Sequence, residues 1–208
     1  MPVVHFQMDN VFSRQSLPAQ FVQRGQKNTL LRSFLFYGML LAQKEDRNMF
    51  EITLITMGKL KEKFYISAAQ EYAKRLSGYC RFTLLELPEY RLPENPSQAE
   101  ITMGLEKEAD DILARIPKGA WFCVFTPEGK ELSSEAFAEK IASVKLSGKS
   151  SACFLIGSSF GMAPRVKEKA DFRLSMGPMT FPHHLARIMV LEQLYRAEAI
   201  QAGSRYHK

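Results

Sequence analysis

The chain has 208 residues, 46% of them hydrophobic and 24% charged, which suits one sizeable folded domain with or without an appendage and excludes disorder as the default. Its formal net charge of +6 is compatible with a polyanionic partner but too small to establish one. The most apolar early stretch, LLRSFLFYGMLLA at 30–42, contains Arg32, falls short of the roughly 20 residues of a membrane span and begins late for a signal peptide, so neither anchoring nor export is expected.

Up to residue 48 the apolar residues fall in irregular clumps, and a regular pattern begins at Phe50. The folded domain is therefore expected over 49–208. Residues 1–48 are expected to be a poorly packed extension, or a misassigned start with translation beginning at Met49. Lys44-Glu45-Asp46 can be encoded by a purine-rich stretch that would serve as a ribosome-binding sequence for Met49. The first 48 residues hold six basic and three acidic side chains, so the remainder keeps a net charge of only +3.

EITLITMG at 51–58 reads as a strand entering a glycine turn, and 59–79 as an amphipathic helix ended by Gly78. CRFTLLEL at 80–87 is a strand, 88–97 a Pro-rich loop, and 98–116 a helix stopped by Pro117. AWFCVF at 120–125 is short and apolar enough for a buried strand. TPEGK at 126–130 reads as a loop, and 133–146 as a helix opened by serines and a glutamate. SACFLI at 151–156 is a second buried strand, DFRLSM at 171–176 another strand, and 182–200 a helix. That last helix is apolar on more than one face, so it is either a central core helix or one that also packs on a second subunit. Strands separated by helices predict an α/β fold with a mainly parallel sheet flanked by helices. Ligands in such folds sit at the carboxyl ends of the strands, which singles out the loops 126–130, 157–161 and 176–184.

The three cysteines, Cys80, Cys123 and Cys153, lie in apolar, strand-like runs without C-x-x-C spacing. An odd number of buried thiols points to a reducing compartment, the cytoplasm, and away from a disulfide framework or a structural zinc. GSSFG at 157–161 matches the G-x-S-x-G of a nucleophilic serine, and Asp171 followed by His183, His184 or His207 would complete the order Ser, Asp, His. Only twelve residues separate Ser159 from Asp171, however, too few for the strand and helix that normally intervene. Neither phosphate-loop fingerprint is present. His183 and His184 are adjacent, diverge on a helix, and lie near no cysteine, so no metal site is expected.

Taken together, ITLITMGKLKEKFY, LIGSSFG, LSMGPMTFPHHLARIMVLEQLYRA and the terminal GSRYHK resemble the RlmH family, 23S rRNA (pseudouridine-N3) methyltransferases of the SPOUT class. The resemblance runs through 50–208 in order and leaves 1–48 without a counterpart. It implies a cytoplasmic homodimer with a C-terminal trefoil knot, neither membrane-bound nor acting on DNA. It also implies that S-adenosyl-L-methionine donates a methyl group to N3 of a pseudouridine in helix 69 of 23S rRNA within assembled ribosomes. Carried over by position, the cofactor contacts fall at Phe125, Gly157, Met176, Gly177, Pro178, Met179, Thr180 and Phe181, on the three loops already singled out. Phe125 replaces a more usual leucine, Ser158 a glycine, and Gly177-Pro178 a polar pair, which changes the pocket's shape and favours backbone contacts there. The catalytic expectations are Arg187 holding a phosphate or the base carbonyls, and Tyr206 and His207 on a tail covering the substrate pocket of their own or the other subunit. His207 is the candidate proton acceptor, and His183 caps or orients the last helix.

Overall fold

A computed structural model of the chain describes residues 49–207, without the side chain of His207. The expectations for 1–48, including a start at Met49, lie outside the described residues. Five strands, β1 (Glu51–Met57), β2 (Arg81–Leu87), β3 (Trp121–Glu131), β4 (Ser151–Ile156) and β5 (Phe172–Ser175), form one sheet in the order β2-β1-β4-β3-β5. Every pairing is parallel, so each crossover needs the helix that the sequence pattern predicts. The helices are α1 (Lys63–Leu76), α2 (Gln98–Arg115), α3 (Ser134–Leu146), α4 (Pro164–Lys169) and α5 (His183–Gln201), followed by a 3-10 turn at Arg205–His207.

Side chains alternate across the strands and build two cores. Ile52, Leu54, Trp121, Cys123, Ala152 and Phe154 face α1, α3 and α5. Ile55, Met57, Phe122, Val124, Cys153 and Leu155 face α2 and α4. β4 is buried at all six positions, as befits the centre of a parallel sheet covered on both faces. Helix starts follow local chemistry: Ser97 and Glu100 form a reciprocal capping box at α2, and Ser133 caps α3.

The structure corrects three sequence expectations. α1 begins at Lys63 rather than 59, because 59–62 run along the sheet end, where the Leu60 amide donates to Glu86 (3.4 Å). Cys80 sits one residue ahead of β2; it is buried and free like Cys123 and Cys153, and burial pushes the Cys80 and Cys153 thiols up to about 12. TPEGK is not an open loop. β3 leaves its partner at Phe125 and rejoins it at Lys130, both opposite Leu174, so 126–129 form a long bulge that returns to the place it left. Gly129 makes the return possible, since a Cβ there would fall 2.5 Å from the Leu174 carbonyl carbon. α5 packs between α1 and α3, which buries Val190, Leu191 and Leu194 in the core. No helix among the described residues is long and apolar enough to cross a membrane.

Glu128 holds the bulge in place, accepting from Lys167 Nζ (2.5 Å) on α4 and from the Thr126 hydroxyl. The Lys167 bond first, then Thr126, lower its carboxyl to about 2. A depressed folded-state value means that the contribution is present above the unfolded carboxylate range and disappears as pH falls through about 2. Paired acid-unfolding curves of wild type and Glu128→Gln should therefore differ near neutrality and converge toward that pH, and an NMR titration of Glu128 gives its midpoint directly. Gly129→Ala should lower stability by ~1–3 kcal/mol through backbone overlap, read from urea unfolding.

Candidate functional site

A cavity of about 600 Å³ opens at the carboxyl ends of β3 and β5. Phe125, the last residue of β3 before its bulge, lies on one side, and Leu174 to Gly177 leave β5 on another. The stretch 131–134 leading into α3 forms a third wall, α5 contributes Ile188 to Val190 with Glu192 and Gln193, and Tyr72 of α1 completes the rim. Ser134 Oγ donates to Gln193 Oε1 (2.7 Å) and Gln193 Nε2 to Glu192 Oε2 (2.7 Å), which fixes the polar edge of an otherwise apolar wall. Arg196 donates to Glu192 from Nη2 and Nε, at 2.6 and 2.9 Å.

The C-terminal turn docks on this same edge. The Tyr206 hydroxyl donates to Glu192 Oε1 (3.3 Å), its ring meets Tyr195 edge-on with centroids 4.7 Å apart, and Arg196 lies 4.8 Å from the ring centre. Burial first, then neighbouring Tyr72, pushes the Tyr206 phenol up to about 12, so at neutral pH it is a hydrogen-bond donor and not a proton acceptor.

The family described as "Predicted SPOUT methyltransferase" matches residues 50–207. The chain belongs to this family. Three relatives share the name "Ribosomal RNA large subunit methyltransferase H". That from Levilactobacillus brevis is 44% identical over 157 residues, 76% of this chain and 99% of the relative. Those from Carboxydothermus hydrogenoformans and Streptococcus mutans are each 44% identical over 158 residues, with the same coverage. The resemblance read from the sequence is thus borne out.

Within this SPOUT chain the expected cofactor residues divide. Phe125, Met176 and Gly177 line the cavity. Pro178, Met179 and Thr180 are exposed and Phe181 is half-buried, all outside its wall. Gly157 is buried, and its lack of a side chain serves the loop itself: a Cβ would lie 2.3 Å from the Gly161 carbonyl oxygen, where Ser158 and Gly161 exchange two backbone hydrogen bonds of 2.9 Å. The close approach expected from a ligand is made by the protein's own backbone.

Arg187 departs most from expectation. Expected to meet RNA, its guanidinium is instead 1% exposed. It donates to Glu86 Oε1 (2.6 Å), the Met57 carbonyl (3.0 Å) and the Gly58 carbonyl (2.9 Å). Burial pulls its pKa down, and Glu86 opposes that shift and keeps the charge. The residue therefore ties the start of α5 to the ends of β1 and β2.

The serine-hydrolase constellation does not assemble. Ser159 Oγ does lie 3.4 Å from His183 Nδ1, but Asp171 sits at the start of β5, accepting from the Phe122 amide (2.8 Å) near the opposite end of the sheet. Burial first, then His184, lowers the His183 pKa and favours its neutral ring, while His184 Nδ1 lies 3.6 Å from Glu62. Among the described residues no group of three or more His, Cys, Asp or Glu could hold a metal ion.

Sequence reasoning missed Tyr72, Glu131, Ser134, Glu192 and Gln193. One signal was available: Glu192-Gln193 are polar residues inside a helix apolar on several faces, a pattern that marks a cavity-facing position. Arg187→Leu should cost about 3–5 kcal/mol by stranding Glu86 and two carbonyls, and adding Glu86→Gln should restore part of it, read from urea unfolding of the single and double variants.

Proposed function

We propose that this chain is an S-adenosyl-L-methionine-dependent methyltransferase of large-subunit ribosomal RNA, acting on N3 of a pseudouridine in helix 69 of assembled ribosomes. It works as a cytoplasmic homodimer with the trefoil knot of its family. The observation that supports the reading is identity of 44% across 99% of a relative named as a methyltransferase of large-subunit ribosomal RNA, in a chain whose cavity lies at the strand ends where such folds bind ligands.

The cavity fits the cofactor. Its size lies within the usual range for small-molecule sites. Phe125, Leu174, Met176 and Ile188 offer an apolar slot for a flat base, Gly177 an open backbone, and Ser134 and Gln193 partners for hydroxyls. Glu131 places negative charge along the wall, complementary to a sulfonium or an ammonium, while Glu192 is already paired with Arg196. When bound, S-adenosyl-L-methionine supplies an electrophilic methyl group.

The chain's task is alignment and proton removal: the base nitrogen must stand in line with the methyl group and lose its proton. Tyr206 seats the tail at the cavity rim and stays protonated. His207, the next residue, is the proton acceptor in this reading. Arg187 acts through α5, holding the wall that carries Ile188 to Gln193, and is a positioning residue. A net charge of +3 over 49–208 suffices because a dimer presents its weakly basic surface twice to a shaped target.

Calorimetry should show one S-adenosyl-L-methionine bound per chain, weakened about tenfold or more by Phe125→Ala. Mass mapping of rRNA from cells lacking the protein should reveal an unmethylated helix 69 pseudouridine; one that stays methylated refutes the assignment. His207→Ala should slow methyl transfer by ~10²–10⁴ while leaving cofactor affinity intact.

A further inference from the structure

Four aromatic and imidazole rings form a row outside the cavity wall. Phe64 and Tyr65 open α1 with centroids 4.3 Å apart, Tyr65 meets His184 at 6.2 Å, and His184 meets His183 at 4.1 Å. The row continues through the His183–Ser159 contact to the loop after β4. Its outer end is open, with Phe64 65% exposed. Lys59, Lys61 and Lys63 precede Phe64 in the chain, all exposed, and none of them forms a salt bridge or a side-chain hydrogen bond among the described residues. The intervening acid, Glu62, is drawn toward His184 at 3.6 Å, and Glu89 on the far side is engaged by the Ser159 amide (3.2 Å).

We infer that this row is a docking surface for RNA, on which Phe64 stacks an unpaired base while Lys59, Lys61 and Lys63 meet the flanking phosphates. The inference rests on the methyltransferase reading above and deepens it by naming where the substrate is gripped. Bases turned out of a helix bind by stacking on aromatic rings, and their backbones bind cations. An exposed phenylalanine directly after three exposed lysines, none of them held in a salt bridge, offers both. Charge also selects the occupant: a second copy meeting this patch across a two-fold axis would bring the same lysines face to face. The row reaches α5 at His183, the first residue of the helix that supplies Ile188 to Val190 to the cavity wall, so one helix joins the docking surface to the proposed cofactor site.

The test uses full-length protein, purified assembled ribosomes in filter binding, and calorimetry with S-adenosyl-L-methionine. Phe64→Ala should weaken ribosome binding ~10-fold, and Phe64→Trp should restore it. The triple variant Lys59→Gln, Lys61→Gln, Lys63→Gln should flatten the salt dependence of binding by up to about three in slope. Cofactor affinity and native mass should stay at wild-type values in all of them. Wild-type ribosome affinity in Phe64→Ala overturns the inference, and so does a fall in native mass, which would make the patch a subunit contact. Wild-type protein that binds the cofactor but no ribosomes overturns the rRNA reading itself, and the docking surface falls with it.

Discussion

One buried cation organises the carboxyl end of this sheet. Arg187 has left water almost completely, and a lone charge there would be untenable. Glu86 and two strand-end carbonyls make it tolerable, and they belong to β1 and β2, on the far side of the sheet from β5. The chain leaving β5 must therefore cross the ends of β3 and β4 before α5 can begin. That crossing brings Met176 and Gly177 to the cavity and His183 against Ser159, so one ion pair sets both the wall of the site and the path of the segment that builds it.

What could be read from the sequence follows from what is local. β4 was legible because a run of five apolar residues after Ser151, between polar turns, has few other uses, and α2 because Ser97 and Glu100 announce their own cap. The strand-end location of the site was legible too, since it follows from topology. The continuation of β3 was not: Lys130 and Glu131 look like loop residues, and only pairing with β5, more than forty residues on, makes them a strand. Arg187 misled for a related reason. An arginine near a helix start reads as a surface cation unless its distant carboxylate is known, and Glu86 lies 101 residues away. Gly157 was noticed for its permissiveness, but what needed the space was the Gly161 carbonyl.

Charge is distributed with some economy over this fold. The cavity edge carries carboxylates, Glu131 and Glu192, although the chain as a whole is basic. Exposed lysines outside any salt bridge gather instead at the start of α1, next in the chain to the exposed Phe64. The two kinds of surface suit two ligands of opposite charge, a cationic cofactor and a polyanionic substrate, and they keep each from competing for the other's place. Glu192 also serves Arg196, Gln193 and Tyr206, so the cavity edge and the C-terminal turn share one carboxylate.

The strand order has a kinetic meaning as well. β1 and β2 are neighbours in both sequence and space, and they can pair as soon as the Pro-rich loop after β2 has been made. The other edge of β1 has no partner until β4 arrives, with Ile52 waiting for Ala152. β3, synthesised between them, has no early partner at all. The sheet thus closes from the middle and late, when a single fully buried strand enters between two open edges. β4 joins β1 to β3, and only the later β5 and α5 complete the second edge and one face of the sheet, with Arg187 closing onto β1 and β2 last.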